Sequence, residues 1–404
     1  MKFCVDIDGW YRLSVRYTAS GRRNQETVFV DGECLANLFM PKEKKETEVV
    51  TLPLAAGVHE FILEHRDGDA VVEELMVEAV AEPAPIVPNT QLCDPDASPN
   101  AKRLMEYLGS VYGKKMLTSQ HTKDFPMKEV EHIVSVTGKK PAILGFELLG
   151  YSPNIQWNTS DEGTTTEAKN NLGTIRCAVD WAEKEGGIVA YCWHWFSPMK
   201  GNNKAFYTEH TDFDARLAVT PGTPEYDATI RDIDIISQHL KVFADKDIPI
   251  LWRPLHEADG GWFWWGAKGA EACKKLWKLM YDRMVNVHQL HNLIWVWNSQ
   301  EPDWYPGQDC VDIIGADLYT KPGNTGCCKC DFDASRRLPG NKMIALTECG
   351  VNPDAENAVK RGAPWLWAMT WCGGFVTGGE WNTPEQYKKL YQSDYAVTLE
   401  DLKA

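Results

Sequence analysis

The 404-residue sequence predicts an α/β protein, a (β/α)8 TIM barrel preceded by a small N-terminal β-sandwich domain. Three observations carry that prediction. Residues 1–81 hold short runs of alternating apolar and polar residues, separated by turn signals. Residues 82–97 are Pro-rich and read as an extended, fairly stiff linker. From 98 to 404, eight short apolar segments alternate with helical ones, which is the barrel pattern.

In residues 10–17, Tyr11, Leu13, Val15 and Tyr17 fall on one face of a strand. Further strands are predicted at 27–30, 48–54, 59–64 and 71–79, with turns at Asp31-Gly32, Ala56-Gly57 and Asp67-Gly68. Asp6-Ile7-Asp8-Gly9 is half of a calcium loop without a closing glutamate, so it reads as a turn.

Ser98-Pro99-Asn100 reads as a helix start, with an amphipathic run over 101–112 behind it. The eight barrel strands are predicted at 115–120, 142–148, 187–195, 248–257, 293–299, 311–319, 343–350 and 365–372. Helices are predicted at 166–185, 230–245, 270–288, 352–360 and 384–394. No glycine-rich phosphate turn follows any strand, which disfavours a doubly wound sheet.

Composition narrows the function. The net charge of −15 and pI of about 5.2 argue against nucleic acid or an anionic membrane as partner. No apolar run is long enough to span a membrane. The N-terminus MKFCVDIDGW has no cleavable apolar region, so the protein is expected either to stay inside the cell or to have lost its signal peptide. Twelve cysteines permit disulfides, and Cys327, Cys328 and Cys330 cluster near Cys310. Their spacing is not a CxxC pair, so a loop disulfide or free thiols is expected there rather than zinc. No metal or cofactor is expected. His288 and His291 read as helix-end residues. Asn158-Thr159-Ser160 is a glycosylation acceptor only along a eukaryotic secretory route. The 17 tryptophans exceed what packing requires and recur at strand ends, which suggests stacking on sugar.

A barrel carries its active site at the C-terminal ends of its strands. Read in order, those ends offer Gln120 and His121, then Glu147, then Trp193, His194 and Trp195. Arg253, His256 and Glu257 follow, then Asn298, Asp317 and Tyr319, and finally Glu348 and Trp371. Residues 251–266, LWRPLHEADGGWFWWG, place a carboxyl group beside an aromatic wall broken by Gly260-Gly261. Aromatic faces stack on pyranose rings, and an apolar surround can keep a carboxyl protonated near neutrality. Packing in the core is the plain alternative for each tryptophan, and a structural ion pair for each glutamate. Glu257 on strand 4 and Glu348 on strand 7 are a pair suited to retaining glycoside hydrolysis.

The motif Arg253-Pro254-x-His256-Glu257-x-x-x-Gly261-Trp262-Phe263-Trp264-Trp265-Gly266 resembles glycoside hydrolase family 26, whose main activity is endo-β-1,4-mannanase. The resemblance covers residues 98–395. It implies Glu257 as acid/base, Glu348 as nucleophile, His256 beside the acid and Tyr319 holding the nucleophile. It implies His194, Trp262, Phe263 and Trp371 as lining around the cleaved bond. Arg253 would orient carboxylates, and Asp317 is a further substrate-site candidate. The expected partner is a β-mannan polysaccharide, the expected location extracellular and the expected state a monomer. The family also acts on β-1,3-xylan and mixed-linkage β-glucan, so those substrates stay open beside mannan. A non-catalytic glycan-binding protein is the remaining alternative. Asp259, after the acid, and Cys349, after the nucleophile, depart from the usual pattern; Asp259 would raise the pKa of Glu257 if it faced the site.

The first block resembles carbohydrate-binding modules of the family 35 and family 6 type. The resemblance rests on Gly9-x-Tyr11-x-Leu13-x-Val15-x-Tyr17, Val28-x-Val30-Asp31-Gly32 and Leu54-x-x-Gly57-x-His59-x-Phe61. These are scaffold positions, so sugar binding and a purely structural role both remain open for it.

Overall fold

The computed structural model describes residues 1–21, 24–42, 44–199 and 206–402. Seven strands precede residue 81: β1 (Lys2–Val5), β2 (Gly9–Thr18), β3 (Gln25–Val30), β4 (Glu33–Phe39), β5 (Glu46–Leu54), β6 (Gly57–Asp67) and β7 (Val71–Val80). They pair antiparallel into two sheets, ordered β1-β6-β3-β4 and β5-β2-β7. Tyr11, Leu13, Val15 and Tyr17 are buried along β2 in the predicted alternation. Two strands were not predicted. β1 has four residues, too few to show a period. β4 buries Cys34, Leu35 and Ala36 in succession, which hides its alternation. The Asp31-Gly32 turn joins β3 to it, with φ of +52° and +80°, the left-handed pair that a tight hairpin needs.

The described residues 81–98 form no helix or strand. The first helix, Pro99–Val111, then starts as predicted: the Ser98 side chain accepts from the Ala101 N–H, and proline occupies the first turn.

Eight parallel strands follow: β8 (Met116–His121), β9 (Ile143–Glu147), β10 (Ile188–Cys192), β11 (Ile250–Arg253), β12 (Leu293–Asn298), β13 (Ile313–Leu318), β14 (Met343–Cys349) and β15 (Trp367–Thr370). Each pairs with the next, and β15 pairs back onto β8, closing the barrel. All eight coincide with predicted segments. β8, β9, β11, β12, β14 and β15 are buried along their whole length, and their predominantly apolar starts carry the strand signal in the sequence. A two-residue strand, β16 (Ala396–Val397), pairs with the first two residues of β8.

The helices depart more from expectation. The run predicted over 166–185 is two helices, Glu162–Asn171 and Thr174–Asp180, ending in a π turn. Gly173 breaks it at φ +104°. The run predicted over 270–288 is a helix at Ala270–Asp282 followed by a π turn. Helices at Lys128–Thr137 and Lys329–Arg336 were not predicted.

The two sheets and the barrel share one buried cluster, which runs from Leu13 and Val30 to Phe332 and Trp365. Polar contacts reinforce the junction. Arg361 pairs with Glu33 at 2.8 Å, and the Asn37 backbone N–H donates to Asp331 at 2.9 Å.

The tryptophan excess is corrected here. Ten of the 17 are less than 2% exposed, among them Trp252, Trp295, Trp297 and Trp365. Their bulk fills the core of a large barrel. All twelve cysteines are free thiols, and only Cys4 is exposed. Cys310 packs in a different buried cluster from Cys327, Cys328 and Cys330, so sequence proximity did not bring them together. No helix among the described residues is long and apolar enough to cross a membrane.

Candidate active site

Apolar strands deliver polar residues to one mouth. β11 ends at Arg253, and the chain then turns sharply through Leu255 at φ +51° and Glu257 at φ +52°. Two non-glycine residues in the left-handed region mark a strained turn, a feature that clusters at functional sites. Asn298, at the end of β12, holds that turn: its Oδ1 accepts from the Glu257 N–H at 2.8 Å. The Asn298 amide in turn donates to Asp317 at 2.8 Å and to Thr347 at 2.9 Å. The Trp265 indole donates to the His256 carbonyl at 2.9 Å.

Glu348 lies in β14, opposite Asp317 of β13 beside a register shift. The Arg253 guanidinium donates to Asp317 and, at 2.7 Å, to Glu348 Oε2. The Tyr319 hydroxyl donates to Glu348 Oε1 at 2.5 Å. Both oxygens of Glu348 are thereby engaged, and its direction is set.

Electrostatics separate the two carboxyls. Burial, and then the charge of Glu348, pushes the pKa of Glu257 up to about 7. The Trp262 indole N–H, 2.8 Å from Glu257 Oε2, opposes that rise. Asp259 is exposed, and the largest causes of the shift are burial and Glu348. Burial raises Asp317 well above the usual carboxylate range, against the pull of Arg253.

A second network lies across the mouth. His194 Nδ1 is 2.6 Å from Glu147 Oε2, and the His194 N–H donates to Glu147 Oε1 at 2.8 Å. Burial would push His194 down, but the Glu147 carboxylate lifts it above the usual imidazole value. Burial would raise Glu147, but His194 brings it to about 2. His194 Nε2 lies 3.1 Å from His256 Nε2. Burial, then the Arg253 charge, holds His256 well below the usual value, so it stays neutral. His121 is lowered to about 3 by the same causes, and its ring sits 4.4 Å from Trp371.

Glu147, Cys192 and His194 bring three possible metal-ligand atoms within 4.8 Å of one another. Their chemistry favours hydrogen bonding instead. Cys192 Sγ donates to Glu147 at 3.0 Å, and burial keeps that thiol protonated rather than a thiolate ligand.

The predicted site residues meet in this mouth in different roles. Glu257, Glu348, Arg253, Asp317, Tyr319, His194 and His256 are joined through the contacts above. Trp262 is 38% exposed, more than the other aromatic residues of this stretch. Phe263 is buried, its ring 5.4 Å from both His194 and His256, so it packs behind the histidines. Trp371 is half-buried, its ring 5.8 Å from His194. The expected four-residue aromatic wall is corrected: Trp264 and Trp265 are fully buried in the core. Gly260 lets Trp262 fold over it, because a Cβ there would lie 2.1 Å from the indole.

Sequence reasoning gave no role to Glu147, Asn298, Thr347 or Tyr207. The first two did stand at strand ends, which was their signal. Tyr207, whose ring is 5.4 Å from Phe263 and which feels the Glu257 charge, stands at no predicted strand end and carried none.

Comparison with known proteins agrees with this geometry. The profile of glycosyl hydrolase family 26 matches residues 93–401. A mannan endo-1,4-beta-mannosidase of Thermothelomyces thermophilus is 37% identical, over 97% of this chain and 80% of that protein. Mannan endo-1,4-beta-mannosidase A of a Piromyces species is 33% identical over 98% of this chain; the chain spans 65% of its length. In structure the chain is similar to the Podospora anserina GH26-CBM35 beta-(1,4)-mannanase, with a TM-score of 0.74 and 34% identity. That likeness covers 100% of this chain and 90% of the other.

Proposed function

Since the chain belongs to glycosyl hydrolase family 26, we propose that it is an endo-β-1,4-mannanase that cleaves mannan, glucomannan or galactomannan with retention. The observation that carries the reading is the pair of carboxyls at the ends of β11 and β14, one of them held protonated near neutrality.

Glu257 donates its proton to the glycosidic oxygen while the carboxylate of Glu348 attacks the anomeric carbon. The C–O bond to the leaving sugar breaks, and a glycosyl ester on Glu348 forms. Glu257, now ionised, takes a proton from water. The water oxygen attacks the anomeric carbon from the opposite face and releases Glu348. Arg253 and Tyr319 aim the nucleophile through their hydrogen bonds to its two oxygens. Asn298 fixes the backbone of the acid. His194, His256, Trp262, Phe263, Trp371 and Asp317 form the surround of the sugar at the cleaved bond.

We read residues 1–81 as a β-sandwich of the carbohydrate-binding-module type, 82–97 as its linker and 98–404 as the catalytic unit. The two antiparallel sheets support this, as does full-length likeness to a solved GH26-CBM35 enzyme. The protein acts outside the cell, because its polymeric substrate lies there.

The test is release of reducing sugar from glucomannan, galactomannan, β-1,3-xylan and lichenan, with product sizes followed over time. Mixed mannooligosaccharides from the first minutes are expected. Mannobiose alone would make the enzyme end-acting. Release from xylan or lichenan, with none from mannan, would overturn the substrate.

A further inference from the structure

A cleft of about 580 Å³ leads away from the catalytic mouth. That volume falls within the roughly 300–1,000 Å³ of ligand-binding pockets. It is lined by Glu257 and Trp262 of the barrel and by Gln25, Asn37, Phe39 and Arg66 of the N-terminal sheets. We propose that these four residues form a distal subsite for β-mannan on the leaving-group side of the cleaved bond. The inference rests on the activity argued above and adds to it a part of the substrate cleft that the barrel alone lacks.

The side follows from which carboxyl lines the cleft. Glu257 does and Glu348 does not. The acid protonates the departing oxygen, so a channel lined by the acid carboxyl, and by Asp317 and Tyr319 but not by the Glu348 carboxyl itself, is assigned to the departing chain.

Strand geometry explains why these residues face it. In β4, Ala36 and Leu38 point into the core, so Asn37 and Phe39 point outward together. Gln25 of β3 stands opposite Phe39 in the register. Arg66, near the end of β6, donates to Asn37 Oδ1 at 2.6 Å and reaches the Tyr319 carbonyl at 3.4 Å. It thereby ties the sheet to the loop whose phenol holds Glu348. The Asn37 backbone is anchored from below by Asp331, whose own carbonyl accepts from Gln300 at 3.1 Å. The face is therefore fixed before any ligand arrives.

The chemistry suits a neutral sugar chain. An aromatic ring offers an apolar face, while two amides and a guanidinium offer hydrogen bonds to hydroxyls. Gln25, Asn37 and Phe39 also line a smaller adjoining groove of about 130 Å³, which continues the same path.

The experiment compares kcat/KM for mannohexaose and mannotetraose in the full chain and in Phe39→Ala and Gln25→Ala, and maps the cut in hexaose labelled at its reducing end. The expected result is a fall of about fivefold or more in the hexaose-to-tetraose ratio, with the cut shifting toward the reducing end as the leaving-group side loses grip. Phe39→Tyr, which keeps the ring, should retain the ratio. Unchanged ratio and cut position in variants that melt like the parent overturn the subsite alone. If Phe39→Ala melts early, Gln25→Ala at the half-buried surface decides by the same readout. A parent chain that leaves mannan uncut overturns the activity itself, and the subsite with it.

Discussion

The indole N–H of Trp262 donates to Glu257 Oε2 at 2.8 Å, so the one well-exposed aromatic beside the acid also tunes it. This bond favours the ionised form of Glu257 and opposes the upward push of burial. In Trp262→Phe the opposition is lost and the pKa of Glu257 rises above about 7. The acid then keeps its proton to higher pH, and the alkaline limb of kcat/KM moves upward. A pH–rate profile checks the direction; an unmoved or lowered limb contradicts the assignment of Glu257 as acid.

The two carboxyls should fail differently. Glu257→Ala should slow mannan cleavage by roughly 10²–10⁴-fold, the usual worth of a positioned general acid. On an aryl β-mannobioside with an acidic phenol, the leaving group needs no proton. That variant should release a burst of phenol and then stall, because Glu257 is also the base for water. Glu348→Ala should give no burst on either substrate. Rapid-quench kinetics separate the two, and matching behaviour would sink the division of roles.

Arg253 grips two carboxyl groups, Asp317 and Glu348, with separate nitrogens, a task lysine cannot reproduce. Arg253→Lys should lower kcat/KM by roughly 10²-fold through misplacement of Glu348. It should also destabilise the fold by roughly 3 kcal/mol, because a buried charge network is broken. Oligosaccharide kinetics and thermal melting report these effects, and near-parental values in both would remove Arg253 from the site.

Stability should carry a pH signature of the acid. The folded-state pKa of Glu257, at about 7, lies above the ordinary 4.5. Its contribution is therefore most favourable below about 4.5 and is lost as pH rises toward 7. Glu257→Gln lacks a charge to bury, so its melting temperature should overtake that of the parent across that window. The gain should level off above neutrality at roughly 3 kcal/mol. A constant offset between the two melting curves would contradict the raised pKa.

The eight barrel strands could be read in the sequence because burial on both faces leaves each of them a short, mainly apolar start. Arg253, Glu257 and Glu348 stood out as polar residues closing such runs. The tryptophans misled, because composition cannot separate an indole in the core from one on a cleft wall. Trp262 and Trp264 are two residues apart, yet one is 38% exposed and the other 0%. The helix Lys329–Arg336 escaped because its buried face is polar, with Lys329 paired to Asp333 and Asp331 bonded to β4. Nor could local pattern place Arg66 at Tyr319, 253 positions away in the chain.

The buried cluster that runs from the sheets into the barrel bears on how this chain can evolve. Modular polysaccharide enzymes commonly exchange their ancillary parts by recombination in the linker between them. Here a cut within 82–97 would strip apolar cover from the helix Lys329–Arg336 and leave Asp331 and Arg361 without their partners. Selection would then favour inheritance of the whole, with substitutions at the seam arising in compensating pairs on either side.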